Sequence, residues 1–184
     1  MVTPFTCNDI EVRGIFGAEQ GFRLQSVFGA INTSLIDVLV EYMVESLDPG
    51  QLISDAHLSF NGSGNPPGGF ITNVVEQFKD VSNTVIGQIT VTNPPEAFQD
   101  SIIVNPPVSK LNVSKDIGLA AFITPAQANI SFVDQTFTHQ SVPESSAVAG
   151  LLVFGSLGIG AMLKRQRQQS NKLALSATPN ESSN

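Results

Sequence analysis

The sequence contains no tryptophan, one tyrosine and two histidines, and these shortages restrict the chemistry that it can support. Metal and catalytic sites need clustered partners, whereas His57 and His139 stand far apart in the chain. We expect each histidine to be a solvated side chain, His57 on the polar side of a strand and His139 beside a linker. No nucleophile stands near a base, so the sequence predicts no catalytic residue, no cofactor and no metal site. The protein is not expected to be an enzyme.

Five aspartates are scattered near predicted turns, where aspartate is favoured because its side chain hydrogen-bonds the local backbone. They are Asp48, Asp55, Asp80, Asp100 and Asp116. A calcium site built from some of them is the alternative, since calcium takes oxygen ligands from loops. The sequence has no calcium-loop spacing that would favour this alternative.

Cysteine occurs once, at Cys7, so the chain offers this thiol no disulfide partner. Exported proteins normally pair their cysteines. A buried free thiol and a partner located upstream of Met1 both fit this observation. Residues 1–11 lack the basic segment and apolar core of a secretory signal peptide. We therefore expect the native N-terminus, with its signal peptide, to lie upstream of Met1.

Basic residues are also scarce in the first four-fifths of the chain. Residues 1–146 carry five of the nine basic side chains and fifteen of the sixteen acidic ones, within a net charge of −7. Binding to phosphates needs clusters of lysine and arginine, so nucleic acid is excluded as a partner.

One uncharged apolar run, residues 147–163, stands out in the C-terminal part. At about 1.5 Å per residue a helix over this run is roughly 25 Å long, close to the bilayer core of about 30 Å. A soluble core helix is the alternative. Lys164, Arg165 and Arg167 follow directly. Basic residues beside a membrane helix are typically found on its cytoplasmic side. The pattern predicts a transmembrane helix with a cytoplasmic tail, so the preceding body is expected outside the cytoplasm.

The arrangement of Val142-Pro143-Glu144, a short glycine-rich apolar helix and a basic cluster resembles the PEP-CTERM sorting signal of exported bacterial proteins. Residues 134–140 and 115–117 resemble cyanobacterial members of that family. The resemblance implies recognition by exosortase, a membrane-embedded cysteine protease that cuts near the motif and releases or transfers the body. Ser145 stands where the family has its second proline.

The backbone chemistry of this motif also suits a protease substrate. Pro143 biases Val142 toward an extended conformation, which a protease cleft generally needs. Glu144 lies near the positive end of the predicted helix dipole, where a carboxylate is stabilised by about 0.3–1 kcal/mol. A simple helix start before an unprocessed membrane anchor is the alternative.

The body has the alternating pattern of short strands. Strands are predicted around residues 38–44, 56–60, 85–92, 101–104, 117–124 and 129–137, with residues 74–78 either strand or helical turn. A loop is predicted at 61–69, and turns at 93–95, 105–107 and Pro125 are predicted to separate the strands. Short strands separated by such turns favour a mainly β fold, an antiparallel β-sandwich of jelly-roll-like type.

Together these features divide the chain into four parts. Residues 1–138 form the exported β-sandwich body, 139–146 the linker with the sorting motif (Val142, Pro143, Glu144, Ser145), 147–163 the transmembrane helix and 164–184 the basic tail. The predicted function is a surface or extracellular-matrix protein of structural or adhesive type. Its expected partners are the membrane, an exosortase-type protease and extracellular polysaccharide. A carbohydrate-binding module and an unprocessed membrane-anchored protein are the alternatives.

Overall fold

A computed structural model describes residues 6–142 of the chain. The sorting residues Pro143, Glu144 and Ser145, the predicted helix at 147–163 and the tail with Lys164, Arg165 and Arg167 lie outside the described residues. Within residues 6–142, no helix has the length and apolar character needed to cross a membrane.

The described chain is built almost entirely from antiparallel strands, preceded by one short 3-10 helix at Cys7–Asp9. The strands are β1 (Glu11–Ile15), β2 (Gln20–Ile31), β3 (Leu35–Glu45), β4 (Gln51–Phe60), β5 (Ser63–Asn65), β6 (Phe70–Lys79), β7 (Val85–Asn93), β8 (Gln99–Val108), β9 (Lys110–Ala121) and β10 (Gln127–Ser141). The prediction of a mainly β, antiparallel fold is confirmed.

The strands form two sheets that pack face to face. Sheet A has the order β1-β2-β10-β4-β8, with the short β5 also paired to β10, and sheet B has the order β3-β9-β6-β7. With β5 left aside, consecutive strands from β2 onward alternate between the two sheets, except that β6 and β7 form a hairpin within sheet B. The result is a two-layer β-sandwich in which strands distant in sequence become neighbours.

Successive side chains of a strand point to opposite faces of the sheet, so each strand buries one row of side chains against the other sheet. In β6 the buried row begins at Phe70 and includes Val74 and Phe78, while the intervening residues are only half-buried. Phe28 and Ile53 are completely buried on the facing sheet. Apolar side chains of both sheets therefore join in one core between the layers.

Several predicted boundaries are wrong or incomplete. The segment 105–107, predicted to separate strands, lies within β8, which is an edge strand where proline is tolerated. The predicted loop at 61–69 contains β5, and residues 74–78 belong to a strand. The strand predicted at 117–124 begins earlier and ends at Ala121. The sequence pattern does not predict β1 and β2, and β10 continues to Ser141, beyond residue 138.

Candidate functional site

The outer face of sheet A is rich in polar side chains at the place where β10 lies beside β4. In this register Thr136 is opposite His57 and Asp134 is opposite Ser59. Their neighbours along each strand, such as Gln135 and Leu58, point into the core and are buried. The period of two therefore separates a polar outer row from an apolar inner row on the same strands.

These outer residues line an open cleft of about 570 Å³, which we call the sheet-A cleft. This volume is within the range of small-ligand sites, about 300–1,000 Å³. Unlike most such sites, it is lined mainly by hydroxyl, amide, carboxylate and imidazole groups. Its lining residues are Ile15, Glu19, His57, Leu58, Ser59, Gln99, Asp100, Ser101, Asp134 and Thr136.

Glu19 connects two strands at one end of the cleft. Thr136 Oγ1 donates a hydrogen bond to Glu19 Oε2 at 2.6 Å, and His57 Nε2 lies 3.8 Å from Glu19 Oε1. His57 Nε2 also lies 2.5 Å from Asp55 Oδ1, although the orientation is not that of a hydrogen bond. His57 lies on the polar face as predicted, but it contacts carboxylates instead of solvent alone.

Arg23 fixes the carboxylate of Asp134 at the side of the cleft. Its guanidinium donates two hydrogen bonds to the two carboxylate oxygens, Nε to Oδ1 at 2.6 Å and Nη2 to Oδ2 at 2.7 Å. The same guanidinium stacks on the ring of Phe132, with Cζ 4.2 Å from the ring centroid. Bidentate pairing and stacking hold this arginine in one orientation. Asp134 is thereby positioned and its charge is largely balanced.

The other residues singled out in the sequence are dispersed. Asp48 accepts a hydrogen bond from the Gly50 amide, and Asp80 accepts from the Ser82 and Thr84 amides, as expected for turns. Asp55, Asp100 and Asp116 instead lie within strands β4, β8 and β9. His139 lies in β10, near the end of that strand at Ser141. Across residues 6–142, no three histidine, cysteine or acidic side chains are placed to hold a metal ion.

Of the predicted sorting residues, Val142 alone is described. Its amide donates a hydrogen bond to the carbonyl of Gly50 at 2.8 Å, next to the pairing of Ser141 with Gln51. The start of the motif therefore follows directly from the β4–β10 ladder. This attachment places residue 142 at one end of sheet A.

A second polar group, which the sequence reasoning does not identify, is buried between the sheets. The side chains of Lys115 and Glu76 are fully buried, and Lys115 Nζ lies 3.3 Å from Glu76 Oε1. Lys115 Nζ also donates a hydrogen bond to Gln135 Oε1 at 3.0 Å, and the Tyr42 hydroxyl donates to Glu76 Oε1. Lys115, Glu76, Tyr42 and Gln135 are called the core polar cluster below.

The pKa values of this cluster are set first by burial. Burial raises the pKa of Glu76, against the opposing effects of Lys115 and Tyr42, and lowers the pKa of Lys115, against the opposing effect of Glu76. Burial followed by the charge of Glu76 also raises the pKa of Tyr42 well above its ordinary value. A group that is costly to ionise in the folded state makes stability depend on pH.

We predict that the Glu76→Gln substitution reveals this dependence. Between the ordinary pKa of 4.5 and the raised folded pKa, the folded state binds more protons at Glu76 than the unfolded state does, so stability falls as pH rises. The unfolding free energy of the wild type minus that of Glu76→Gln should therefore be greatest below pH 4.5 and decrease toward neutrality. Urea unfolding across this range measures the difference, and a difference that increases with pH would contradict the assignment.

A different, apolar cleft of about 570 Å³ lies at the side of the sandwich, between β1–β2 of sheet A and β3 of sheet B. Tyr42 contributes to its wall, and its ring meets the ring of Phe22 edge to face, with centroids 5.0 Å apart. His139 also lines this cleft. We call it the edge cleft; its apolar lining includes Val12, Ile15, Phe16, Phe22, Leu24, Val40, Val44 and Phe137.

Comparison with known proteins gives only distant likenesses. No protein-family model and no curated protein sequence matches the chain. One similar solved structure, the Glycosylation Associate Protein (Gap123) complex from Streptococcus agalactiae, has 9% identity and a TM-score of 0.35, covering 78% of this chain and 46% of that one. This chain thus spans about half of that protein's length. TmCBM61 in complex with β-1,4-galactotriose has 9% identity and a TM-score of 0.37, covering 71% and 88%. At such TM-scores these likenesses carry no argument.

Proposed function

We propose that this β-sandwich is the extracytoplasmic, adhesive module of a surface or matrix protein, and that its sheet-A cleft binds a neutral, hydroxyl-rich ligand such as a polysaccharide. The observation that carries this proposal is the concentration of polar side chains around one cleft of ligand size. Hydroxyl groups of a sugar need acceptors, and carboxylates offer several lone pairs each. The lining of Glu19, Asp100 and Asp134 supplies them.

The charge of the site favours a neutral ligand over an acidic one. Arg23, the cation nearest to Asp134, already gives both hydrogen bonds of its fork to that carboxylate. The whole chain carries a net charge of −7, which repels anionic polymers. An acidic polysaccharide would therefore be repelled by the carboxylates of Glu19 and Asp100, whereas a neutral one would meet hydrogen-bond acceptors.

We propose more specifically that this β-sandwich is a jelly roll. Jelly rolls place eight strands in two sheets through two Greek keys. With β1 and β5 set aside, the orders β2-β10-β4-β8 and β3-β9-β6-β7 match this description. Proteins with this architecture include lectin domains, so the architecture is compatible with sugar binding without implying it.

We predict that two conservative substitutions in the cleft weaken polysaccharide binding. Glu19→Gln removes a charged acceptor, and Thr136→Val removes the hydroxyl that positions it. Each should reduce affinity for a neutral polysaccharide by about tenfold, since a hydrogen bond to a charged group contributes about 1.5–3 kcal/mol. Affinity electrophoresis of the full chain in gels containing neutral dextran, neutral hydroxyethyl cellulose or acidic alginate measures this.

Glu96→Gln is the matched control, because Glu96 is an exposed carboxylate that does not line the cleft. Compared with a gel without polysaccharide, it should be retarded to the same extent as the wild type in every gel. Retardation by alginate alone, or equal retardation of all variants by the neutral polymers, would overturn the proposed ligand class.

Delivery to the surface is the second part of the proposal. The PEP-CTERM-like segment would anchor the protein through a single helix at 147–163, with the body outside, until an exosortase-type protease cuts near Val142, Pro143 and Glu144. No reaction is proposed for the body itself, so it is proposed not to be an enzyme. Lys164, Arg165 and Arg167 would hold the tail in the cytoplasm.

We predict that the exported protein ends close to the sorting motif. Mass spectrometry of the C-terminus, from a host that carries the protease, should find no peptide from residues 147–163. Pro143→Ala should reduce processing, and Ser145→Pro should increase it, because proline keeps the preceding residue extended. An intact C-terminus at Asn184 on all exported molecules would show an ordinary anchor instead.

A further inference from the structure

Within residues 6–142 the strand orders of the two sheets end at β1, β8, β3 and β7, and three of these four strands are protected against pairing with another chain. The β1 edge has only five residues, and the β8 edge contains Pro106 and Pro107, which cannot donate backbone hydrogen bonds. On the β7 edge, the Thr90 amide donates to Asp100 Oδ2 at 2.8 Å, and Thr92 forms two backbone hydrogen bonds with Ala97.

The fourth edge, β3, has none of these protections. It pairs with β9 over eleven residues without a register shift, and no other described strand pairs with it. Its sequence contains no proline or glycine, and its charged residues, Asp37, Glu41 and Glu45, are all acidic, so they oppose pairing only with another acidic strand. Natural proteins usually protect an edge of this length by such devices. Along this eleven-residue strand, about 37 Å long, one row of backbone groups therefore has no partner strand among residues 6–142.

Both side-chain rows of β3 also leave apolar groups accessible. On the outer row Leu35, Leu39 and Met43 are 72%, 63% and 54% exposed. On the inner row Val40 and Tyr42 are only half-buried, because no next strand covers them, and they line the edge cleft. An additional strand at this edge would cover the inner row and close part of the cleft.

The charges on β3 indicate which kind of strand would fit beside it. Asp37, Glu41 and Glu45 alternate with the exposed apolar residues along the outer row. Lys110 Nζ lies 3.6 Å from Glu45 Oε2, but the structure records no basic partner for Asp37 or Glu41 among the residues it describes. A second copy of β3 would add three more acids to this row, where like charges destabilise pairing.

We propose that β3 is a strand-addition site for an extended segment of another protein in which apolar residues alternate with lysine or arginine. Backbone hydrogen bonds to the open edge would supply affinity, and the two rows would supply specificity. The apolar row of the partner would cover Val40 and Tyr42, and its basic row would lie beside Asp37 and Glu41. This surface is separate from the sheet-A cleft and does not depend on its ligand.

Synthetic nine-residue peptides test the proposal against the full chain by fluorescence anisotropy. A peptide with alternating valine and lysine should bind, and one with alternating valine and glutamate should not. A peptide of the first composition with its valines and lysines in two blocks should bind at least about tenfold more weakly, because only alternation matches the pleat. Equal binding of the blocked and alternating peptides would overturn strand addition in favour of simple charge attraction.

Two further experiments distinguish binding through backbone pairing from binding through charge attraction. N-methylation of alternate residues removes the amide donors of one peptide edge only, so one of the two methylation patterns should abolish binding and the other should not. Glu41→Lys should weaken binding of the lysine peptide by about tenfold, whereas Glu96→Lys, with the same change in net charge, should not. Equal effects of both methylation patterns, or of both substitutions, would contradict the proposal. Concentration-dependent dimerisation of the wild type that becomes tighter in Glu41→Lys, where repulsion between like charges is relieved, would identify a second copy as the occupant and contradict it too.

Discussion

Replacement of Lys115 by methionine should lower the free energy of unfolding by about 3–5 kcal/mol, because it leaves the Glu76 carboxylate buried without its cation. Lys115 Nζ lies 3.3 Å from Glu76 Oε1, and both side chains are fully buried. The Gln135 amide oxygen would also lose the hydrogen bond that Lys115 donates to it. Urea unfolding of the full chain at neutral pH, followed by circular dichroism, measures the change.

The double variant Lys115→Met, Glu76→Gln is the decisive control for this result. It removes both charges, and glutamine keeps an oxygen that can accept from the Tyr42 hydroxyl. Replacing a buried ion pair by uncharged groups is often nearly neutral, so the double variant should recover most of the lost stability. If it were as unstable as Lys115→Met alone, the loss would come from packing rather than from an unpaired charge.

The second large effect is expected at Gly21, where two strands approach closely. A Cβ atom at Gly21 would lie 1.8 Å from the carbonyl oxygen of Gln135 and 2.7 Å from the Cα of Thr136. Both are backbone atoms of β10, so relief requires β2 and β10 to separate. Gly21→Ala should therefore destabilise the protein by about 3 kcal/mol or more, at or above the usual cost of overpacking.

Gly29→Ala tests the same strand pair where space exists. Gly29 is also in β2 opposite β10, but a Cβ atom added there would have Asn129 Oδ1 as its nearest neighbour, at 3.4 Å. Because glycine within a strand costs roughly 0.5–1 kcal/mol relative to alanine, Gly29→Ala should be neutral or slightly stabilising. Thermal unfolding of both variants compares them directly, and similar losses at both sites would refute the close-approach explanation.

The strands that the sequence predicts well are those with clear alternation. In β3 the row of Val38, Val40, Tyr42 and Val44 alternates with a row that contains Glu41, and the structure extends the strand to eleven residues. β2 escapes prediction because Ser26 interrupts the row of apolar residues to which Leu24 and Phe28 belong, and Phe28 is buried by strands distant in sequence. Local periodicity is visible in a sequence, whereas burial by distant strands depends on the completed fold.

The core polar cluster does leave a detectable signal in the sequence. In β9, Lys115 occupies the same row as the apolar Val113 and Ile117. In β6, Glu76 occupies the same row as Val74 and Phe78. A lysine and a glutamate, each in the buried row of a different strand, predict a buried pair if the strands are neighbours. The register that places Glu76 opposite Lys115 could not be derived from the sequence alone.

The sheet-A cleft could not have been predicted, because its residues come from distant parts of the chain. His57 and Thr136 face each other only because β10 returns to lie beside β4. Glu19 joins them from the turn before β2. None of these residues belongs to a local motif, so the cleft follows from topology alone.

The most direct test of the proposed function is an NMR titration of the ¹⁵N-labelled full chain with a panel of neutral oligosaccharides. We predict that amide shifts concentrate at residues 57–59, 99–101 and 134–136, the strand segments that line the sheet-A cleft. The Glu19→Gln variant should need about tenfold more ligand to reach the same shifts. Shifts confined to sheet B, or none with any member of the panel, would contradict the assignment of the sheet-A cleft as the binding site.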